Sequence, residues 1–553
     1  METHADPFPV QWDDPEEAKA MWLVDEVHNL HQMRPLDFDL RLWPMMTGTT
    51  RAAELYGMPF KGEPKLIHGF VYQKVVFPDM SAEQLASTMN EVDSAVRRVA
   101  AELDSRWERT WLPEIQAHLA DLRAIDLRAA TVPELLRHLA EVKRRVERLW
   151  ELHFNLMNPV MLAISDFEEA YRDLFPDAKQ FDPYELLAGF PSKTVEGNLR
   201  LWEIGRAAAR SASLRALLVE TDPAALPAAL AQSAEGQALW REIVDYLSTY
   251  GERSDDLYID TPSWIEDPTS ALRSLREAAL QPDRDLAAEL RQQAERRESR
   301  LSEVRAQLAS HPRPVVEEFE ALLRAAQAGT LLGEDHNFWI DTKITYHVRR
   351  VALELGRRLS ESGVLESPSD VFDLTLAELS SLGEGNAPAA ELRARIAERR
   401  ADAARYADVK RPMLLGVPRQ FPAIDSGLMR AGSKLNGNFM GAPARGDELR
   451  GMAGSCGKVT GPARVVRTLD EAARLQRGDV LVAPATLPSW TPFFATVAAV
   501  VTSMGGVLSH AAVVAREYGI PAVVGARGAT EAIRDGQIVE VDGDAGVVRL
   551  LPQ

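Results

Sequence analysis

The clearest pattern along the chain is helical. Thr131-Val-Pro-Glu reads as a capping box, and apolar residues then fall at Leu135, Leu139, Val142, Val146 and Leu149. That 3.6-residue period predicts an amphipathic helix with one buried face. His153 continues the same face, and Pro159 marks the expected helix end. A second capping box, Ser81-Ala-Glu-Gln, opens another helix. Further helices are predicted over 195–209, 224–232 and 239–249, and a long, charged, solvated one within 269–308. Ile344, Val348, Val351 and Leu355 form a later buried stripe, with Lys343, His347, Arg350 and Glu354 along an adjoining polar one. A last helix is expected from Pro388 to about 407. The stretch 251–268, rich in Pro, Asp and Glu, reads as a loop. The first 80 residues are irregular and aromatic, with Trp12, Trp22, Trp43, Phe60, Phe70 and Tyr72, and 69–76 is their one strand candidate.

Near residue 430 the pattern changes. Glycines recur at 432, 437, 441, 446, 451, 454 and 457, as in a flexible connection. Short apolar runs follow at 458–466, 479–484 and 497–502, which suit buried strands. Gly505-Gly506 breaks the last run. Ser509 is placed as an N-cap, a helix continues to Glu517, Gly519 fits its C-terminal turn, and Pro521 blocks continuation. Residues 522–524, 538–541 and 547–550 complete the strands, the last two as a hairpin turning at Asp542-Gly543. The expected fold class is multidomain, α plus α/β. Residues 1–430 form a mainly helical unit, 431–454 a linker, and 455–553 a β/α unit.

Composition narrows the function classes. The chain of 553 residues is 46% hydrophobic and 26% charged, ordinary for a folded protein. A net charge of −19 argues against general nucleic-acid binding. The start, Met1-Glu-Thr-His-Ala-Asp, lacks the basic and apolar regions of a secretory leader, and no run of about 18 apolar residues suggests a membrane span. With Cys456 the one cysteine, no internal disulfide forms. A cytoplasmic location is the expectation, with neither membrane nor nucleic acid as partner. His28, His31 and His68 match no common zinc spacing, so no metal site is expected.

The candidate chemistry centres on His510. It falls in the first turn of a helix after a glycine turn, where free amides and the helix dipole favour anions. An imidazole is nucleophilic near neutral pH, so a phosphoryl carrier fits. A capped histidine at an ordinary strand–turn–helix junction fits the same placement. Gly505, Gly506, Ser509 and Arg516 are the candidates for phosphate support. For an acceptor site, Lys343 and Arg350 would supply charge and His347 or His336 a base. His153, at the end of an apolar face, is a further candidate. Each also suits core packing or a solvated face.

The string from Gly505-Gly506 through Ser509-His510-Ala511-Ala512 to Tyr518-Gly519-Ile520-Pro521 resembles the phosphohistidine mobile domain of the phosphoenolpyruvate-utilising enzymes. That family includes phosphoenolpyruvate synthase, pyruvate phosphate dikinase, rifampicin phosphotransferase and phenylphosphate synthase. The resemblance runs from about Gly454 to Leu550, and it implies a swivelling domain with a phosphoryl group on His510. Leu508 stands where the dikinases have a regulated Thr, so that regulation is not implied. Residues 251–268 and 367–379 are similar to segments of rifampicin phosphotransferases, which implies an acceptor-binding role for the helical unit. The family's phosphoenolpyruvate-binding barrel is not expected after Gln553, nor its ATP-grasp domain ahead of Ser81. The resemblance therefore implies one component of a two-component, dikinase-type phosphotransferase. A separate ATP-grasp subunit would hold ATP and Mg2+, pass the β-phosphate to His510 and release AMP and phosphate. The acceptor would be a hydroxyl on a small apolar or aromatic molecule. A non-catalytic binding module, and a carrier charged from phosphoenolpyruvate, remain the alternatives.

Overall fold

A computed structural model describes the chain except for residues 1–7, 26–28, 30, 77, 384–387, 421–423, 438–445, 470 and 552–553. The N-terminal residues read for a leader, His28, and 438–445 of the expected linker lie outside the described residues. The architecture is α plus α/β, as the residue pattern implied.

The helical unit is built around one helix, Val132–Leu174, 43 residues long, or about 65 Å at 1.5 Å per residue. Its capping box forms, with the Thr131 amide donating to Glu134 Oε2 at 2.7 Å. Leu135, Leu139, Val142, Val146 and Leu149 are all fully buried in the main core. Pro159 does not end this helix. A proline at this position removes the amide that would bond the Asn155 carbonyl. The Tyr56 hydroxyl donates to that carbonyl instead, at 2.8 Å. Leaving it unpaired and buried would cost about 1–3 kcal/mol. Helices Trp43–Tyr56 and Arg313–His336 pack along the same rod.

Elsewhere the pattern needs correction. The charged stretch 269–308 is two helices, Thr269–Leu280 and Leu286–Leu308, parted at Gln281-Pro282, with Asp285 capping the second through the Ala288 amide. The N-terminal residues are ordered by a four-stranded antiparallel sheet. Lys61–Ile67 pairs with Phe70–Val76, then Met21–Val24, then Leu414–Gly416 from the far end of the unit. The helices Arg313–His336 and Thr342–Glu361 join without a loop, through a single π-helical turn at Asn337–Asp341.

The expected linker is largely structured where it is described. Helix Gly427–Asn436 lies against the long helix, and its first turn is fixed by buried Asp93. That carboxylate accepts from Ser426 Oγ and the Gly427 and Leu428 amides. Strands then start at Glu448, inside the C-terminal sheet.

That sheet has eight strands. In spatial order they are Glu448–Arg450, Val547–Leu550, Ile538–Asp542, Lys458–Val465, Val480–Ala483, Ala499–Thr502, Ala522–Val524 and Met452–Ser455. The pairings from Lys458–Val465 to Ala522–Val524 are parallel and the outer ones antiparallel. The strands Val480–Ala483, Ala499–Thr502 and Ala522–Val524 are buried throughout, between two separate apolar clusters, which explains their Val/Ala/Leu-rich runs, whereas Lys458–Val465 has exposed positions and a mixed sequence. No helix among the described residues is long and apolar enough to cross a membrane.

Candidate active site between the two units

His510 begins the helix His510–Tyr518, which follows strand Ala499–Thr502. Gly505 turns the chain at φ 94°, Ser509 is extended, and Gly519 closes the helix in the left-handed region at φ 64°. Ser509 occupies the N-cap position, but its hydroxyl makes no cap bond and is buried without a hydrogen-bond partner. His510 Nε2 lies 3.3 Å from Thr491 Oγ1, and Nδ1 lies 3.6 Å from Glu334 Oε1 of the helical unit. Thr491 and Glu334 were not singled out as site residues. Nothing in their spacing to His510 shows that folding brings them to its two ring nitrogens.

The glycine turn serves docking. The Gly506 amide donates to the Leu435 carbonyl and the Leu508 amide to the Lys434 carbonyl, both at 2.8 Å, at the C-terminal end of helix Gly427–Asn436. Arg516 also acts structurally. It donates to the Gly454 and Val507 carbonyls at 2.8 and 2.9 Å, with its guanidinium 4.4 Å from the Tyr184 ring centroid. Val507 and Leu508 pack into the cluster of Phe167, Tyr171, Tyr184 and Phe319. Around the rim, Arg284 donates to the Ala495 carbonyl at 2.7 Å and Ser489 to the Asp255 carbonyl at 2.8 Å. So the His510 unit is seated on the helical one.

Between them lies a cavity of about 520 Å³. The helical unit contributes Met45, Met46, Phe154, Met157, Ile164 and other apolar groups, with Arg41, Asn158, Glu334, His336, His153 and Asp341. The C-terminal unit contributes Thr486, Leu487, Leu508, Ser509 and His510. Arg41 is buried and salt-bridged to Asp37 at 2.6 Å. His153 Nδ1 stands 2.9 Å from Asp341 Oδ1, and His336 Nε2 stands 3.7 Å from Asp341 Oδ2. Burial lowers the His336 pKa, against the opposing pull of Asp341.

His153 and His336 thus belong to the cavity, while Lys343, His347 and Arg350 do not line it. Lys343 is buried on Glu252 at 2.7 Å and over the Phe338 ring. Burial holds the Lys343 pKa down against the Glu252 charge, and drives His347 to about 3. Arg350 lies over Tyr346, 5.5 Å from its centroid. The π-turn at Asn337–Asp341 explains the error. Each extra residue turns the helix by about 100°, so positions after Asp341 are offset from the stripe that holds His336. No metal site was expected from the histidine spacing, and the structure brings His153 together with two residues remote from it in sequence. His153, His336 and Asp341 bring ligand atoms within 4.8 Å of one another. Of the surface histidines, His31 pairs with Asp256 and His68 with Asp402.

Buried Glu517 is expected to make the docking pH-sensitive. Glu517, on the carrier helix, accepts the Gly189 amide at 3.2 Å. Its carboxyl is pushed up to about 7, chiefly by burial. The nearby Glu334 charge adds to that rise, while the Gly189 amide, Arg516 and Arg297 oppose it. An acid raised on docking favours the docked state at low pH and loses that advantage as pH rises through about 7. A fluorescence distance probe spanning the two units should report less docking at pH 8 than at pH 6. Glu517→Gln should flatten that profile. An unchanged profile in the variant assigns the dependence to another group.

Residues 475–546 match the family described as PEP-utilising enzyme, mobile domain, and 155–334 match the rifampicin phosphotransferase fourth domain. The resemblance drawn from the His510 string is borne out. Chondramide synthase cmdD of Chondromyces crocatus is 43% identical over 560 residues, covering 98% of this chain and 14% of that protein. The uncharacterized phosphotransferase YvkC of Bacillus subtilis (strain 168) is 29% identical over 424 residues, 76% of this chain and 50% of its own. A rifampicin phosphotransferase of Streptomyces sviceus is 33% identical over 312 residues, 55% of this chain and 34% of its own. The chain therefore spans half or less of the length of these relatives.

Proposed function

We propose that this chain, with its PEP-utilising mobile domain, is the carrier and acceptor part of a phosphotransferase. A separate ATP-grasp unit, holding ATP and Mg2+, charges His510. His510 then phosphorylates a hydroxyl on a small apolar or aromatic acceptor seated in the cavity. The observation that carries this reading is the position of His510: its ring lines a mostly apolar cavity walled by the helical unit.

The chemistry follows from the ring contacts. In the docked pose Nδ1 faces the Glu334 carboxylate, which leaves Nε2 as the nitrogen that carries the phosphoryl group into the cavity. A P–N bond forms as the P–O bond to the leaving nucleotide breaks. After the carrier returns to the cavity, the acceptor oxygen attacks, the P–N bond breaks, and the imidazole recovers its lone pair. The hydroxyl proton passes to a base on the cavity wall. Apolar side chains exclude water, which would otherwise hydrolyse the phosphoramidate. Covalent relay splits one difficult transfer into two easier ones.

The test uses the chain with its ATP-grasp unit, [β-32P]ATP, and a panel of phenols and aliphatic alcohols. The expected result is an acid-labile, alkali-stable phosphate on the chain, chased onto a phenolic member of the panel. Label from phosphoenolpyruvate but not from ATP, or no label from either, overturns the reading.

A further inference from the structure

The cluster at the inner end of the cavity joins three elements. His153 comes from the middle of the long helix, His336 from the last residue of helix Arg313–His336, and Asp341 from the π-turn after it. Their side chains are largely buried, yet all three line the cavity. The two rings stand edge to face, with centroids 4.7 Å apart. His336 Nδ1 is 3.2 Å from the Leu332 carbonyl, which fixes the ring with Nε2 toward Asp341. That is the arrangement by which a protein orients a metal-ligating imidazole, one nitrogen held by a carbonyl and the other turned to the ion. Asn337 Nδ2 lies 3.3 Å from Asp341 Oδ2 and steadies the carboxylate. The π-turn has a role here. Such turns recur at functional sites because one extra residue re-aims a side chain, and this one sets Asp341 beside His336 and His153.

We infer that His153, His336 and Asp341 form a binding site for one divalent transition-metal cation, open to the cavity. Two imidazoles and one carboxylate are a ligand set for Zn2+, Fe2+ or Mn2+, whereas Mg2+ takes oxygen donors. Ligand bonds of roughly 2.0–2.2 Å would draw the three atoms together by about an ångström. Three protein ligands leave the remaining positions to water or to a ligand in the cavity. His510 lines the same cavity, so an oxygen on the ion would face the chamber that the carrier ring enters. The inference stands apart from the phosphoryl relay, because binding is measured without turnover.

The experiment strips the full chain with a chelator and titrates it with Zn2+ and, separately, Co2+. The expected result is one ion per chain by elemental analysis, with a visible Co2+ absorption band and a higher melting temperature on Zn2+ addition. His336→Ala and Asp341→Asn should each weaken binding at least about 10-fold. His31→Ala, at the surface His31–Asp256 pair, should leave it unchanged. Far-ultraviolet circular dichroism checks that each variant is folded. No stoichiometric ion in the folded wild-type chain overturns the inference, as does binding that survives in the His153→Ala/His336→Ala double variant.

Discussion

His510→Ala abolishes labelling of the chain from ATP and all transfer to acceptor, a loss of at least about 10⁴-fold, the scale seen when a covalent nucleophile is removed. The ring's two close polar neighbours are a Thr491 hydroxyl at Nε2 and the Glu334 carboxylate at Nδ1, both weaker nucleophiles than an imidazole near neutral pH. The variant should fold normally. The ring is partly exposed and sits in the first turn of the helix, where Ala is well tolerated. Melting temperature and circular dichroism should match the wild type, so lost labelling reports chemistry. Labelling or transfer that persists in His510→Ala would falsify the relay.

Gly506→Ala separates the two steps. A Cβ at Gly506 would lie 2.2 Å from the Lys434 carbonyl oxygen and 2.7 Å from its carbon. Both are backbone atoms at the end of a packed helix, so no side chain can swing aside. The carrier would have to back away by about an ångström, and a displacement of that size costs about 10²-fold in a transfer that depends on alignment. Charging of His510 happens away from this contact and should be near normal. Single-turnover chase from preloaded chain should therefore slow about 100-fold while the labelling rate holds. Equal slowing of both steps, or of neither, removes docking at Gly506 from the mechanism.

Local signals in the sequence predict the carrier unit well. The glycine turn, the helix start at Ser509 and the stop at Gly519-Ile520-Pro521 lie within about 20 residues, and the structure follows them. The buried strands were legible for the same reason, since a doubly covered parallel strand is a continuous apolar run. The helical unit was only half legible. Its long helix announced itself by period, but Pro159 looked terminal because the hydroxyl that compensates for it belongs to Tyr56, remote in sequence. The π-turn is invisible to a 3.6-residue template. Lys343, His347 and Arg350 stood out as a polar stripe at helical spacing, whereas Asp341, inside the π-turn, carried no such signal. Where it is described, the glycine-rich stretch includes helix Gly427–Asn436, anchored by buried Asp93, while Gly437 and Gly451 lie against neighbouring backbone.

Because the walls of the central chamber come from both bodies, anything lodged there bridges them. A bulky occupant does more than compete for space. It acts as a rivet, prolonging the stay of the travelling half and postponing its next trip to refuel. Throughput would then be governed by how quickly the finished molecule leaves, and tight product binding would throttle the whole cycle even with every chemical step intact.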